Sequence, residues 1–312
     1  MKQNHIFLIL FLAAFLFACT GGNYARKKPE HLTFGMGEVQ KGMGWYQKGC
    51  YNRSLEHFFK AHEFFSVSDQ LNGAAMSLNN IANVYRVIGE INNAVFFYKE
   101  SYALYSDIKD YKGVVQALSN MAAALIDASR LEEAEKIMDQ ADEIAMQIKI
   151  LFLPIQKNRG ILLVRKKEFA RAEEILKSVL KMTDPENLSE FAAVNFALGN
   201  LMFETGRYEE AIGFLKVALE ADRSSGFYSG IAEDLAAIGD AYFIQAKYEP
   251  AAKFFKRSIK VYALTENEKK VKEWMEQLEK ASEKADLDIS VTKYFVNSWL
   301  DGKALVSPCK PL

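Results

Sequence analysis

The 312-residue sequence predicts an all-α fold in which helical pairs stack into a superhelical solenoid. Three observations predict it. Only six prolines occur, so little interrupts helix formation. No window of five or more residues keeps strict alternation of Val, Ile or Thr with polar residues, which removes the case for strands. Most directly, one short segment recurs six times at a spacing of about forty residues, the mark of a repeat architecture. With 50% hydrophobic and 25% charged residues the chain has ample apolar surface for a core. Its 39 Lys and Arg against 40 Asp and Glu leave no broad basic field, so nucleic acid is not an expected partner.

The chain begins "MKQNHIFLILFLAAFLFACTGG". One basic residue, Lys2, precedes an apolar run from Ile6 to Ala18, too short for a comfortable membrane span and suited to a signal-peptide core. "LFAC", Leu16 to Cys19, resembles the bacterial lipoprotein box, in which the cysteine is lipidated and becomes the mature N-terminus. The resemblance implies a signal peptide over 1–18, acyl chains on Cys19 and anchoring to a membrane, each buried methylene contributing about 0.8 kcal/mol. Thr20 stands where inner-membrane lipoproteins often carry Asp, which points to the outer membrane of a bacterial envelope. Residues 19–33 are the lipidated N-terminus and a tether rich in Gly, Asn, Lys, Pro and Glu. Of the remaining cysteines, Cys50 and Cys309 pair only if the tail folds back, and the expectation is no internal disulfide.

The body, 34–266, holds the six copies. "GCYNRSLEHFFKA" (Gly49–Ala61) and "GRYEEAIGFLKVA" (Gly206–Ala218) show the pattern, with a small residue at Ser54, Ala94, Ala134, Ala172, Ala211 and Ala251. Small residues admit close helix approach, while large apolar ones four and seven positions on face a neighbouring helix. In the fifth copy Leu198, Gly199, Gly206, Tyr208, Ala211, Leu215 and Ala218 resemble the tetratricopeptide repeat family; Ile238, Gly239, Tyr242, Tyr248, Ala251, Phe255 and Ser258 repeat the match in the sixth. The resemblance implies two antiparallel helices per repeat, six repeats and a right-handed superhelix. Copies three and four depart from it, with Ser129 and Lys167 in place of the turn glycine and Arg159 at an apolar position. The long period is similar to that of kinesin light chains and spindle-orientation adaptors.

A repeat stack needs a terminal cap. Residues 267–287 supply a capping helix, with Val271, Trp274, Met275 and Leu278 as an apolar stripe among charges. The tail, 288–312, is aromatic: Val291, Tyr294, Phe295 and Trp299 sit at helical spacing ended by Gly302.

The family register assigns the first helix of each repeat to the concave face. That places Asn80, Asn83, Asn120, Asn158 and Asn200 there, with Asn79 beside them. Asparagine costs a helix about 0.6 kcal/mol relative to alanine, so the five forfeit about 3 kcal/mol. The resemblance of "NNIAN" and "FALGN" to the "NLGN" runs of long-period relatives implies hydrogen bonds to the backbone of an extended peptide. Charge on this face is uneven: Arg86, Lys157 and Arg165 fall in copies two to four, Glu204, Glu233 and Asp240 in copies five and six. Phe196, Phe203 and Phe243 supply candidate pockets for an apolar or basic stretch of ligand. The carboxylate clamp of chaperone-binding relatives is matched only by Asn83 and Asn120, since Asn79 occupies the place of a clamp lysine.

Chemistry for catalysis has no candidate. There is no phosphate-binding glycine loop of the P-loop type and no GxSxG elbow. His57 and His62, five apart, diverge on a helix and form no metal pair. The expectation is therefore a membrane-anchored, non-enzymatic scaffold without cofactor or metal, which binds an envelope protein or peptide for envelope assembly, secretion or pilus biogenesis. The alternative is a sensor module that holds a small molecule or signal peptide in the groove.

Overall fold

A computed structural model describes residues 30–310. Those residues form helices joined by short turns, as the repeats predict, with an irregular stretch over 304–310, and the helices pair in chain order: α1 (Glu30–Gln47) with α2 (Tyr51–Val67), α3 (Leu71–Val87) with α4 (Ile91–Asp107), α5 (Tyr111–Asp127) with α6 (Leu131–Gln147), α7 (Leu153–Arg165) with α8 (Phe169–Met182), α9 (Leu188–Glu204) with α10 (Tyr208–Ser225), and α11 (Tyr228–Ile244) with α12 (Tyr248–Leu264). Helices α13 (Glu268–Lys284) and α14 (Ser290–Ser298) follow, then a turn over Trp299–Lys303 that Gly302 breaks at φ 77°. The signal peptide expected over 1–18 and the lipidated Cys19 lie outside the described residues. Among those residues, no helix is long and apolar enough to cross a membrane.

One turn geometry joins the helices of each pair. In the fifth, Gly206 N–H donates to Phe203 O at 3.0 Å and Arg207 N–H to Met202 O at 2.8 Å, with Gly206 at φ 76°. This is a Schellman closure, which satisfies carbonyls the helix end leaves free and demands a left-handed residue. Ser129 (φ 58°), Lys167 (φ 62°) and Ala246 (φ 57°) adopt the same conformation without being glycine. Copies three and four thus keep the turn despite having lost its usual residue.

The repeated small residues, Ser54, Ala94, Ala134, Ala172, Ala211 and Ala251, are all 0% exposed. Four positions on, Phe58, Tyr98, Met138, Leu176, Leu215 and Phe255 are buried between the helices of a pair. Gly199 and Gly239 show how close the approach is: an added Cβ would lie 2.7 Å from Leu215 Cγ and 2.6 Å from Phe255 Cδ1. Arg159 replaces an apolar contact with charge, donating to Asp139 at 2.9 Å and Asp142 at 2.6 Å on α6.

Helix α13 closes the stack through Val271 and Leu278, with Trp274 and Met275 partly buried against the same core. Helix α14 adds Val296, and Lys293 reaches Glu279 of α13 at 2.5 Å. Its other apolar side chains face outward: Val291 and Tyr294 are 67% and 70% exposed.

The expectation of no internal disulfide is overturned: Cys50 and Cys309 are bonded, 259 residues apart in sequence with Cα atoms 5.2 Å apart. The physical reason is that the superhelix brings its two ends together. Tyr46 of α1 stacks on Phe227 at 6.0 Å, and a Cβ on Gly49 would lie 3.3 Å from Thr265. After Gly302 the chain turns back, Ser307 Oγ donates to Leu264 O at 3.2 Å, and Cys309 arrives at the α1–α2 turn. Curvature accumulates from small rotations between repeats, a quantity no single residue encodes.

Candidate functional site

Because the ends meet, the concave face curves round on itself into a channel, and Tyr46 of α1, Arg86 of α3 and Glu233 of α11 come near one another across it. Residues remote in sequence face each other across it. Arg86 of α3 and Glu233 of α11 lie within electrostatic reach, and Tyr46 of α1 feels both. Burial pushes the Tyr46 hydroxyl up to about 12. It also raises Tyr98, whose hydroxyl donates to Asn83 Oδ1 at 2.6 Å. For Arg86, burial opposes the charge, but Asp127, which accepts from its Nε at 2.7 Å, more than offsets this and the guanidinium stays ionised.

The predicted residues divide by what they touch. Asn120 donates to Asn79 Oδ1 at 3.2 Å and accepts from Gln116 at 3.0 Å, which ties α3 to α5. Asn158 is buried and donates to Ser119 O at 2.9 Å, so its amide joins α7 to α5. Lys157 pairs with Glu190 at 3.2 Å, while Arg165 is exposed and makes no ion pair among the described residues. Asn80 and Asn200 are half-buried and make no hydrogen bond there. Phe203 and Phe243 pack edge-on against the first residue of their own second helices, Tyr208 at 5.6 Å and Tyr248 at 5.4 Å.

Phe196 and Asp240 come together with Glu233 in a cleft of about 270 Å³, which Tyr262, Lys270 and Trp274 complete. Here burial, and then the nearby Glu273, push the Asp240 carboxyl up to about 6. Glu233 keeps an exposed side chain but is ringed by protein, which raises its carboxyl as well. Behind the cleft wall Asp222 and Asp234 are 5% and 1% exposed. Burial comes first in pushing Asp222 up to about 7, with Glu233 adding to it. Asp234 reaches about 9, through burial and then the charges of Asp222 and Glu233. The Asp222 carboxyl packs on Gly230, where an added Cβ would lie 1.8 Å from Oδ2.

Sequence reasoning missed Tyr46, Tyr98, Tyr262, Lys270 and Trp274 as channel residues. Trp274 carried a signal, as a lone tryptophan in a strongly charged helix, but its stripe also reads as packing. The tyrosines read as core, and Tyr98 and Tyr262 are buried, at 0% and 2% exposed, behind the channel surface. Among the described residues no group of three or more His, Cys, Asp or Glu side chains is placed to hold a metal ion.

Residues 190–263, spanning α9 to α12, match the family model for the tetratricopeptide repeat. Over that segment the sequence is similar to tetratricopeptide repeats. The whole array has the fold of solved repeat proteins. It is similar to a Rap protein crystallised with competence and sporulation factor: 14% identity, TM-score 0.58, covering 82% of this chain and 77% of that one. It is also similar to the Rap conjugation gene regulator of plasmid pLS20, solved in complex with the Phr* peptide: 15% identity, TM-score 0.57, covering 98% and 89%. The apo form of RapI aligns at 16% identity and TM-score 0.50 over 81% of this chain and 98% of that one. At these identities the likeness establishes the repeat fold. No curated protein sequence matches the chain.

Proposed function

We propose that this chain is a non-enzymatic binding scaffold whose repeats hold a short peptide, or an extended segment of a partner protein, inside the closed superhelix. The observation that carries the reading is the inner wall itself. Half-buried amides without a hydrogen bond at Asn80 and Asn200 sit on first helices, and aromatic faces and unpaired carboxylates meet in the cleft of Phe196, Glu233 and Asp240, a composition that suits a peptide backbone with a few specific side chains. The solved complex of a similarly folded Rap protein with a peptide supports it. Covalent closure of the ends favours a short ligand over a long threaded partner. This gives weight to the reading of a sensor or regulatory module beside that of an assembly scaffold.

The envelope setting belongs to the same proposal: a signal peptide over 1–18, a lipid on Cys19, anchoring to the bacterial outer membrane, and a partner in envelope assembly, secretion or pilus biogenesis. The Cys50–Cys309 disulfide supports an oxidising compartment. Metabolic labelling with an alkyne fatty acid tests the anchor: label on the wild type and none on Cys19→Ser is expected, and label on neither overturns it. For the channel, a photocrosslinking residue is placed at Phe196 or at outward Phe96 in the native host. The expected result is a peptide adduct identified by mass at 196 and absent at 96; adducts at 96 alone would contradict an interior site.

A further inference from the structure

We propose that the cleft between α9, α11, α12 and α13 is a receptor for one cationic group, a primary ammonium or a guanidinium, carried by the bound peptide. The inference rests on the peptide reading above and adds the chemistry of the side chain, or N-terminus, that the channel selects.

Charge supplies the first argument. Lys270 lies in the cleft, but its ammonium donates to both oxygens of Glu273, at 3.1 and 2.9 Å, and although its charge and that of Arg86 reach Glu233, neither pairs with it. Glu233 and Asp240 then remain, and neither makes a hydrogen bond or ion pair among the described residues. Two unpaired carboxylates in a space of this size constitute a charge deficit that a bound cation removes.

Orphaned polar atoms supply a second, independent argument. Tyr262 is 2% exposed and lines the cleft, yet its hydroxyl has no partner. A phenol oxygen accepts from an ammonium or guanidinium N–H. The indole Nε1–H of Trp274 is also buried without a partner. An indole only donates, so it needs an acceptor that a bare amine lacks and a peptide carbonyl provides. Buried polar atoms of this kind are costly to leave unmet, and both orphans belong to the same cleft. Phe196 and the Trp274 ring form apolar walls for the methylenes of a Lys or Arg stem.

The test uses the full oxidised chain and two probes. Arrayed pentapeptides carrying Lys or Arg are compared with counterparts carrying norleucine or citrulline, which keep the shape and lose the charge. In parallel, calorimetry follows the free cation agmatine. The wild type is expected to favour the charged peptides by about tenfold or more, and Glu233→Gln/Asp240→Asn to lose that preference. Glu233→Gln alone, at an exposed side chain, serves as a second variant should the double variant melt early. Equal retention of charged and neutral peptides, or a preference that survives in the variants, overturns the cation site while leaving peptide binding intact. If no peptide is retained but agmatine binds the wild type and not the variants, the cation site stands and the peptide reading fails. Binding of neither probe overturns both.

Discussion

Replacing Asp234 with Asn should stabilise the protein at neutral and alkaline pH and do little in acid. Asp234 is 1% exposed, and one of its carboxylate oxygens has no hydrogen-bond partner. Burial, with Asp222 and Glu233 adding repulsion, lifts its folded-state value to about 9 from an ordinary 3.8. Between those values the folded chain holds a proton that the unfolded chain has released, so stability falls as pH rises. The slope for this one group is about 1.4 kcal/mol per pH unit. Asparagine is near-isosteric with the protonated acid and does not titrate. The difference between variant and wild type therefore isolates Asp234, because contributions from every other group cancel. From pH 5 to pH 7 the variant should gain about 3 kcal/mol on the wild type, an upper bound given residual water access. Urea midpoints at pH 5, 6, 7 and 8 measure it. A difference that stays constant across this range would refute the assignment of a protonated, buried acid.

Three further outcomes follow from the repeats and their closure. Ala246→Gly relieves a left-handed alanine at a Schellman turn and should raise stability by about 0.5–1 kcal/mol by urea denaturation; a loss would argue against that turn geometry. Phe255→Ala removes a fully buried ring that packs against Trp274 and Gly239, and should cost about 3–5 kcal/mol, with a red-shifted tryptophan emission as the local readout. Cys309→Ser releases a 259-residue closure and should cost about 2–4 kcal/mol, read as the urea midpoint against the oxidised wild type, with no shift expected once both are reduced.

Much of the fold was legible because each repeat states its own packing. Ala211, Leu215 and Ala218 specify which face of α10 meets its partner, and buried residues at the same spacing in the five other copies repeat that arrangement. Arg159 shows the limit of single-position reading: an apparent defect in the pattern is an ion pair with Asp139 and Asp142 of α6. The asparagines show a second limit. Sequence placed them on first helices, but the choice between a tie to the next repeat, as for Asn158, and a free amide, as for Asn200, depends on which neighbour lies within reach. The closure of the superhelix was illegible for a different reason. It is a sum of small inter-repeat rotations, and it alone brings Cys50 to Cys309 and Arg86 opposite Glu233.

Binding on the inner face depends on the two ends of the superhelix staying together, and a distance measurement tests that closure most directly. Spin labels at exposed Lys48 and Glu266, which flank the contact of Gly49 with Thr265, should give a single short distance in pulsed electron resonance on the oxidised protein. A broad distribution centred at long distances would show an open superhelix and contradict the closed channel.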